Sequence, residues 1–260
     1  YAEFSYMILQ ALDYLHLNRE FGCTLQVAGQ DQWGNITAGI DLIRKKTGKE
    51  VYAFTMPLLT KADGTKFGKS EGGAIWLDKD KTTPYEMYQF LINAEDSKVI
   101  DYLKFLTFLS KEEIEKIEKE QNEHPEMRIA HKALAREVIT FIHGSDAYNE
   151  AVRISESLFS GDIKNLTSKE IEMAFKGLDK ITIKEEMNIV DFLVNTGICS
   201  SKRESREFVS NNSISINGEK VNSLDFVVNS DIAIDKKYVV VRRGKKKYFI
   251  ICFGGSDEEE

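Results

Sequence analysis

"CTLQVAGQDQWGNITAGIDLIRKKTGKEVYAFTMPLL", residues Cys23 to Leu59, carries the change of period that decides the fold. "CTLQVAG" is short, apolar and strand-like. "QWGNITAGIDLIRKKTG" repeats its apolar residues at helical spacing and ends on Gly48, a helix stop signal. "VYAFTMPLL" is a second strand. Strand, helix and strand in this order predict a βαβ unit, hence a parallel sheet in an α/β protein. Ligands of such sheets sit beyond the carboxyl ends of the strands. The segments there are "GQDQWG", from Gly29, and "TKADGTKFGKS", from Thr60.

Ahead of this unit, "FSYMILQALDYLHL" places Phe4, Met7, Ile8, Ala11, Leu12 and Leu15 at the spacing of an amphipathic helix. Tyr6, Gln10 and Asp13 lie at i, i+4 and i+7 and share one face of it. Such a polar row is either a solvated face or the rim of a pocket for an amine or hydroxyl. Asp13 is its fully charged acceptor. Gln26, Gln30, Asp31 and Gln32 cluster at the end of the first strand, although Asp31 could simply cap the following helix.

"DGTKFGKS", from Asp63, hangs Lys66 and Lys69 among glycines. A nucleotide P-loop needs one more residue between its glycines and a helix after them, where Gly72 and Gly73 stand instead. That leaves a basic surface turn, or a lid that brings cations to a transferring phosphate in the transition state.

Pattern changes mark the rest of the chain. Residues 84 to about 176 are helical throughout, with Pro84 at a helix start, capping boxes at Ser110 and Thr167, and a stop at Gly144. Then come two short helices, "IVDFLVNTG" and "SSKRESREFVSN", and two hairpins, turning at Asn217-Gly218 and near Gly244. This gives four expected segments: 1–83, the α/β part with the lysine loop; 84–180, helical; 184–254, a small α+β module; and 255–260, an acidic tail. The net charge is −7, yet residues 184–254 carry 12 Lys and Arg against 9 Asp and Glu. A basic end on an acidic chain points to nucleic acid. Three cysteines without CxxC spacing argue against a disulfide framework or zinc and suit a reducing cytoplasm. No apolar run is long enough to cross a membrane. The four histidines are scattered, and neither a nucleophilic triad nor metal-ligand spacing appears.

"YMILQALD", "LQVAGQDQWGNITAG", "DGTKFGKS" and "PYEMYQF", in this order, resemble bacterial tyrosyl-tRNA synthetase, a class I aminoacyl-tRNA synthetase. The resemblance runs over nearly the whole chain. Residues 184–254 resemble the RNA-binding module named after ribosomal protein S-four, with "SSKRESREFVSNNSISINGEKV" as its core. The family's first signature, His-x-Gly-His, does not occur, and the chain opens on Tyr1 inside a helical pattern. An N-terminal portion is therefore expected to be missing. On this expectation residues 1–83 are the second half of a Rossmann-like nucleotide-binding domain, inactive alone.

The resemblance implies a tyrosine–tRNA ligase whose partners are tyrosine, ATP with its accompanying Mg2+, and tRNA(Tyr). It also implies a homodimer, and neither a membrane nor DNA. Tyr6 and Gln10 match positions that hold the tyrosine amino group, Asp13 the one that binds the phenol, and Gln26 one that lines the pocket. Gln32 matches a residue near the tyrosine carboxylate, and Asp31 one near the adenylate ribose. Lys66, Lys69 and Ser70 belong to the second signature loop, whose lysines act on the pyrophosphate of ATP. The module's candidate tRNA contacts are Lys202, Arg203, Arg206, Arg242, Arg243, Lys245, Lys246 and Lys247. Ala28, Gln30 and Glu207 depart from the family's pattern. Two rival readings remain: a synthetase-derived RNA-binding protein without catalysis, and tryptophanyl specificity.

Overall fold

Both expected strands form, and they pair in parallel. In the computed structural model, which describes residues 1–70, 73–245 and 247–254 with the side chains of Lys69 and Ser70 left aside, β1 (Leu25–Gly29) runs beside β2 (Tyr52–Met56). The register runs from Leu25 opposite Tyr52 to Gly29 opposite Met56. Between them α2 (Trp33–Thr47) ends on Gly48, whose φ of 69° suits a residue without Cβ. Ahead of them lies α1 (Ala2–Phe21). The chain divides into two compact units, residues 1–71 and 72–260.

The described residues of the first unit have a core built from Tyr14, Leu15, Ile36, Ile43 and Val51, with Ala28 and Ala53 packed against it. Gly39 is what lets α1 meet α2. A Cβ there would come within 3.0 Å of the Tyr14 ring. The Tyr14 phenol donates to the Tyr52 carbonyl at 2.8 Å and so ties α1 to β2. Burial pushes that phenol's pKa up, and the neighbouring Cys23 adds to the shift.

Period-2 alternation places Ala28 and Ala53 on the core while Leu25, Val27, Tyr52, Phe54 and Met56 stand exposed. The strands are thus covered on one face. The helical row also differs from expectation. Ala11 and Leu15 are buried, but Phe4, Met7, Ile8 and Leu12 are exposed. Apolar residues surround α1, and packing against α2 selects the stripe of Ala11, Tyr14, Leu15 and Asn18.

The second unit begins with six helices: α3 (Pro84–Ile92), α4 (Val99–Leu106), α5 (Lys111–Glu123), α6 (Ile129–His143), α7 (Ser145–Ser160) and α8 (Ser168–Ala174). The capping boxes at Ser110 and Thr167 are present, and Thr83 forms another with Glu86 ahead of Pro84. A five-stranded sheet follows, in the order Lys180–Ile183, Lys247–Phe253, Tyr238–Arg243, Ile214–Ile216, Glu219–Lys220. Its first strand starts four residues ahead of the boundary at 184. Both expected hairpins form, and Asn217 and Gly218 both have positive φ, the twist a tight two-residue turn needs.

This sheet is covered on both faces. Val239, Val241 and Ile251 face α9 (Ile189–Asn195) and α10 (Lys202–Ser210), packing with Phe192, Leu193 and Val209. Tyr238, Val240 and Ile250 pack instead with Ile154, Ile163, Leu166 and Ile171 from the helical segment. A strand buried on both sides reads as a continuous apolar run, which explains "YVVV".

Candidate functional site

The turn after β1 is shaped by Gly29. A Cβ there would lie 2.7 Å from Asp31 Oδ1 and 3.0 Å from Leu58 Cδ2, so a larger residue would displace that carboxylate from its present position. Gln30 to Gln32 form one 3-10 turn, and α2 starts directly after it. No side-chain cap is made at that helix start. Asp31 instead accepts from Gln32 Nε2 at 3.2 Å, so helix capping does not explain it.

Across from this turn, α1 brings Gln10. Asn35 joins the two sides: its Nδ2 donates to Gln10 Oε1 at 3.2 Å and to Gln32 Oε1 at 2.9 Å. Gln10, Gln32 and Asp31 therefore belong to one hydrogen-bonded chain. Tyr6 lies one turn before Gln10 on the same helix and is exposed, as is Asp13, one turn after. Gln26 is half-buried on β1, and its Oε1 is buried with no hydrogen-bond partner among the described residues. That oxygen can take a donor. Ala28 lies in the core of the unit, and Gln30 is exposed. Asn35 was not among the residues singled out from the sequence. Its place three residues after Gln32, on the same helical face, was the available signal.

The lysine loop has a folded base. Thr60 bridges Lys66, Lys61 N–H donates to the Thr65 carbonyl at 2.8 Å, and Phe67 N–H to the Leu59 carbonyl at 3.1 Å. The Thr65 hydroxyl and amide donate to Asp63, at 2.6 and 2.9 Å, and hold its carboxyl below the usual range. Gly64 and Gly68 have φ of 83° and 87°, where glycine avoids strain. Lys66 is exposed at this base, while the side chains of Lys69 and Ser70 lie outside the described residues.

In the second unit the basic candidates differ in what they can offer an anion. Arg203, Arg206, Lys245 and Lys247 are exposed, and so is Glu207. Lys202 pairs with Asp191 at 2.6 Å. Arg243 is engaged within the module: its guanidinium donates to the Ile198 carbonyl and lies over the Phe208 and Phe249 rings, 5.4 and 5.8 Å from their centres. Lys246 lies outside the described residues. A recess of about 330 Å³ is lined by Ser215, Lys220, Arg242 and Lys245, among others. Lys220, unnoticed in the sequence, reaches it because the Asn217-Gly218 turn folds its strand beside Ser215.

Residues 1–160 match the model of "tRNA synthetases class I (W and Y)". The chain belongs to this family. In this synthetase chain, residues 170–251 further match the tyrosine–tRNA ligase C-terminal domain. A tyrosine–tRNA ligase of Staphylococcus haemolyticus strain JCSC1435 is 53% identical over 255 residues, 97% of this chain and 61% of that protein. Its counterpart from Staphylococcus carnosus strain TM300 is 55% identical with the same coverage. This synthetase chain thus spans about three-fifths of the length of the curated relatives it matches. Among solved structures, a C-terminally truncated Aspergillus nidulans mitochondrial tyrosyl-tRNA synthetase is similar at 38% identity and a TM-score of 0.51, over 61% of this chain and 45% of that one.

Proposed function

We propose that this chain carries the amino-acid site, lysine loop and tRNA-binding module of a tyrosine–tRNA ligase. The observation that carries this reading is the bay in which Gln10 of α1 and Gln32 of the β1 turn are joined through Asn35 at the carboxyl end of a parallel strand. Both glutamines and Asp31 come from motifs that resemble the tyrosyl family.

On this reading the parallel β1 and β2 belong to the second half of the nucleotide-binding domain. Tyr6 and Gln10 hold the tyrosine ammonium, Asp13 accepts from its phenol, and Gln26 lines the pocket. Gln32 lies near the carboxylate, which attacks the α-phosphate of ATP as pyrophosphate leaves. Asp31 holds the adenylate ribose. Lys66 and Lys69, with Ser70, stabilise charge developing on the leaving group. The terminal ribose hydroxyl of tRNA(Tyr) then attacks the adenylate, with no covalent enzyme intermediate. Such chemistry needs positioning and charge stabilisation. Magnesium enters with ATP. The enzyme works as a homodimer in the cytoplasm, and its C-terminal module grips tRNA through Lys202, Arg203, Arg206 and the hairpin cations.

The test is amino-acid-dependent ATP–pyrophosphate exchange on the full-length product of the gene. Exchange with tyrosine is expected. Exchange with tryptophan instead would reassign the specificity. Exchange with neither amino acid, combined with tight RNA binding, would favour the non-catalytic reading.

A further inference from the structure

Asn35 lies half-buried in the first turn of α2. Its side-chain NH2 has two hydrogens, and each goes to the amide oxygen of one glutamine: Gln10 at 3.2 Å and Gln32 at 2.9 Å. The consequence is polarity. A primary amide has an acceptor end and a donor end of nearly the same shape. Only its partners decide which end meets a ligand. Gln10 has its oxygen on the Asn35 side, and that oxygen keeps a second lone pair. Gln32 commits its oxygen to Asn35 and one N–H to Asp31 Oδ2 at 3.2 Å, leaving one N–H. On the side next to Asn35 the bay therefore offers the Gln10 oxygen as an acceptor, and from the turn after β1 the remaining Gln32 N–H as a donor. An α-amino acid supplies the complement, an ammonium and a carboxylate.

Resting on the ligase reading above, we infer that Asn35 is a positioning residue that sets the hydrogen-bond polarity of the tyrosine site. It acts through Gln10 and Gln32 rather than on the reacting atoms. The placing of α1 does not depend on it alone, because the Tyr14–Gly39 contact seats α1 on α2 and the Tyr14–Tyr52 hydrogen bond ties α1 to β2. Asn35→Asp keeps the shape and reverses the instruction. A carboxylate facing two carbonyl oxygens is repelled: Gln10 turns over freely, and Gln32 turns over only by giving up its hydrogen bond to Asp31. Gln10 then shows N–H groups to the ammonium, and Gln32 shows an oxygen to the carboxylate.

The experiment is pyrophosphate exchange by the full-length gene product and its Asn35→Asp and Asn35→Ala variants, with 4-ethylphenol and tyramine as competitive inhibitors. Asn35→Asp should raise the tyrosine KM by about tenfold or more, as expected for an inverted hydrogen bond to a charged group. Asn35→Ala, which frees the glutamines without inverting them, should raise it less. Tyramine, which keeps the ammonium, should weaken with tyrosine. The ATP KM and inhibition by 4-ethylphenol, which lacks both charged groups, should stay unchanged in both variants. Loss of 4-ethylphenol binding in parallel with tyrosine would make Asn35 merely structural and overturn the inference. So would unchanged tyrosine KM values. If Asn35→Asp fails to fold, Asn35→Ala carries the same comparison. Wild-type protein without tyrosine-dependent exchange would overturn the ligase reading itself, and this inference with it.

Discussion

On the proposed ligase reading, Asp13 and Lys69 separate binding from transition-state work at the level of single residues. Asp13 is exposed on the face of α1 that carries Tyr6 and Gln10. If it accepts from the substrate phenol, Asp13→Ala removes a charged hydrogen bond that phenylalanine never makes. The tyrosine-to-phenylalanine ratio of kcat/KM should fall by more than about tenfold. Equal losses for both amino acids would make Asp13 structural. Lys69 belongs to a loop whose glycines at 64 and 68 adopt positive φ. A cation that acts only as pyrophosphate departs should leave KM alone. Lys69→Ala should therefore lower kcat by about 2–4 kcal/mol of barrier with little change in the tyrosine KM. An unchanged kcat would return the loop to a solvated turn.

Gly39 matters at the level of elements, because the separation of α1 and α2 sets the reach from Gln10 to Asn35. Alanine would be a better helix former, but any Cβ meets the Tyr14 ring at 3.0 Å. Gly39→Val must push the helices apart, at a cost of about 1–3 kcal/mol of overpacking. Denaturant titration should show that loss, and tyrosine binding should weaken with it. A variant as stable as the parent with unaltered tyrosine affinity would mean that the helix spacing does not govern the site. The Thr83 capping box is the contrasting case. Thr83→Ala should cost about 1 kcal/mol of stability and leave the kinetics untouched, since only the start of α3 depends on it.

Two expectations belong to the whole molecule. The first concerns acid. His131 is fully buried, with Nε2 hydrogen-bonded to the Ala94 carbonyl and Asp96, both at 3.0 Å. Burial and then the Arg128 charge hold its pKa below the ordinary 6.5. Burial and Lys79 do the same for His143. With a depressed histidine the unfolded chain takes up the proton first. The stability is complete above the unfolded value and falls as pH drops through it. Thermal midpoints should decline as the pH falls below about 6.5. Replacing His131 by Gln should flatten that decline, and an unchanged slope would show that its burial is not what acid attacks. The second concerns RNA. Cutting the chain near residue 184 would strip Tyr238, Val240 and Ile250 from Ile154, Ile163 and Ile171, so truncation confounds binding with folding. Charge removal is cleaner. Lys220→Gln, Arg242→Gln and Lys245→Gln together should reduce the log–log salt slope of tRNA binding by about 0.7–0.9 per lost contact. An unaltered slope would place the tRNA elsewhere.

Helix starts and stops, both hairpins and the parallel strand pair were legible in the chain. Each depends on residues a few positions apart: Ser110 with Glu113, Thr167 with Glu170, Asn217 with Gly218. The family was legible too, because "GQDQWG" and "DGTKFGKS" are contiguous motifs. What the motifs could not show was which face each element buries. Phe4, Met7, Ile8 and Leu12 have the spacing of a core stripe and stand exposed, because Gly39 and Tyr14 bring α2 to a neighbouring stripe instead. Arg243 reads as one more surface cation, yet two aromatic rings and a carbonyl occupy it. The boundary at 184 follows a change of pattern, while the sheet takes a strand from before it and shares a core with helices earlier still. Asn35 acquires its role only where Gln10, twenty-five residues away, meets Gln32. Backbone propensity and capping act within one or two turns of the chain. Burial, amide orientation and the company a charge keeps depend on segments that meet only on folding, and tertiary packing alone decides them.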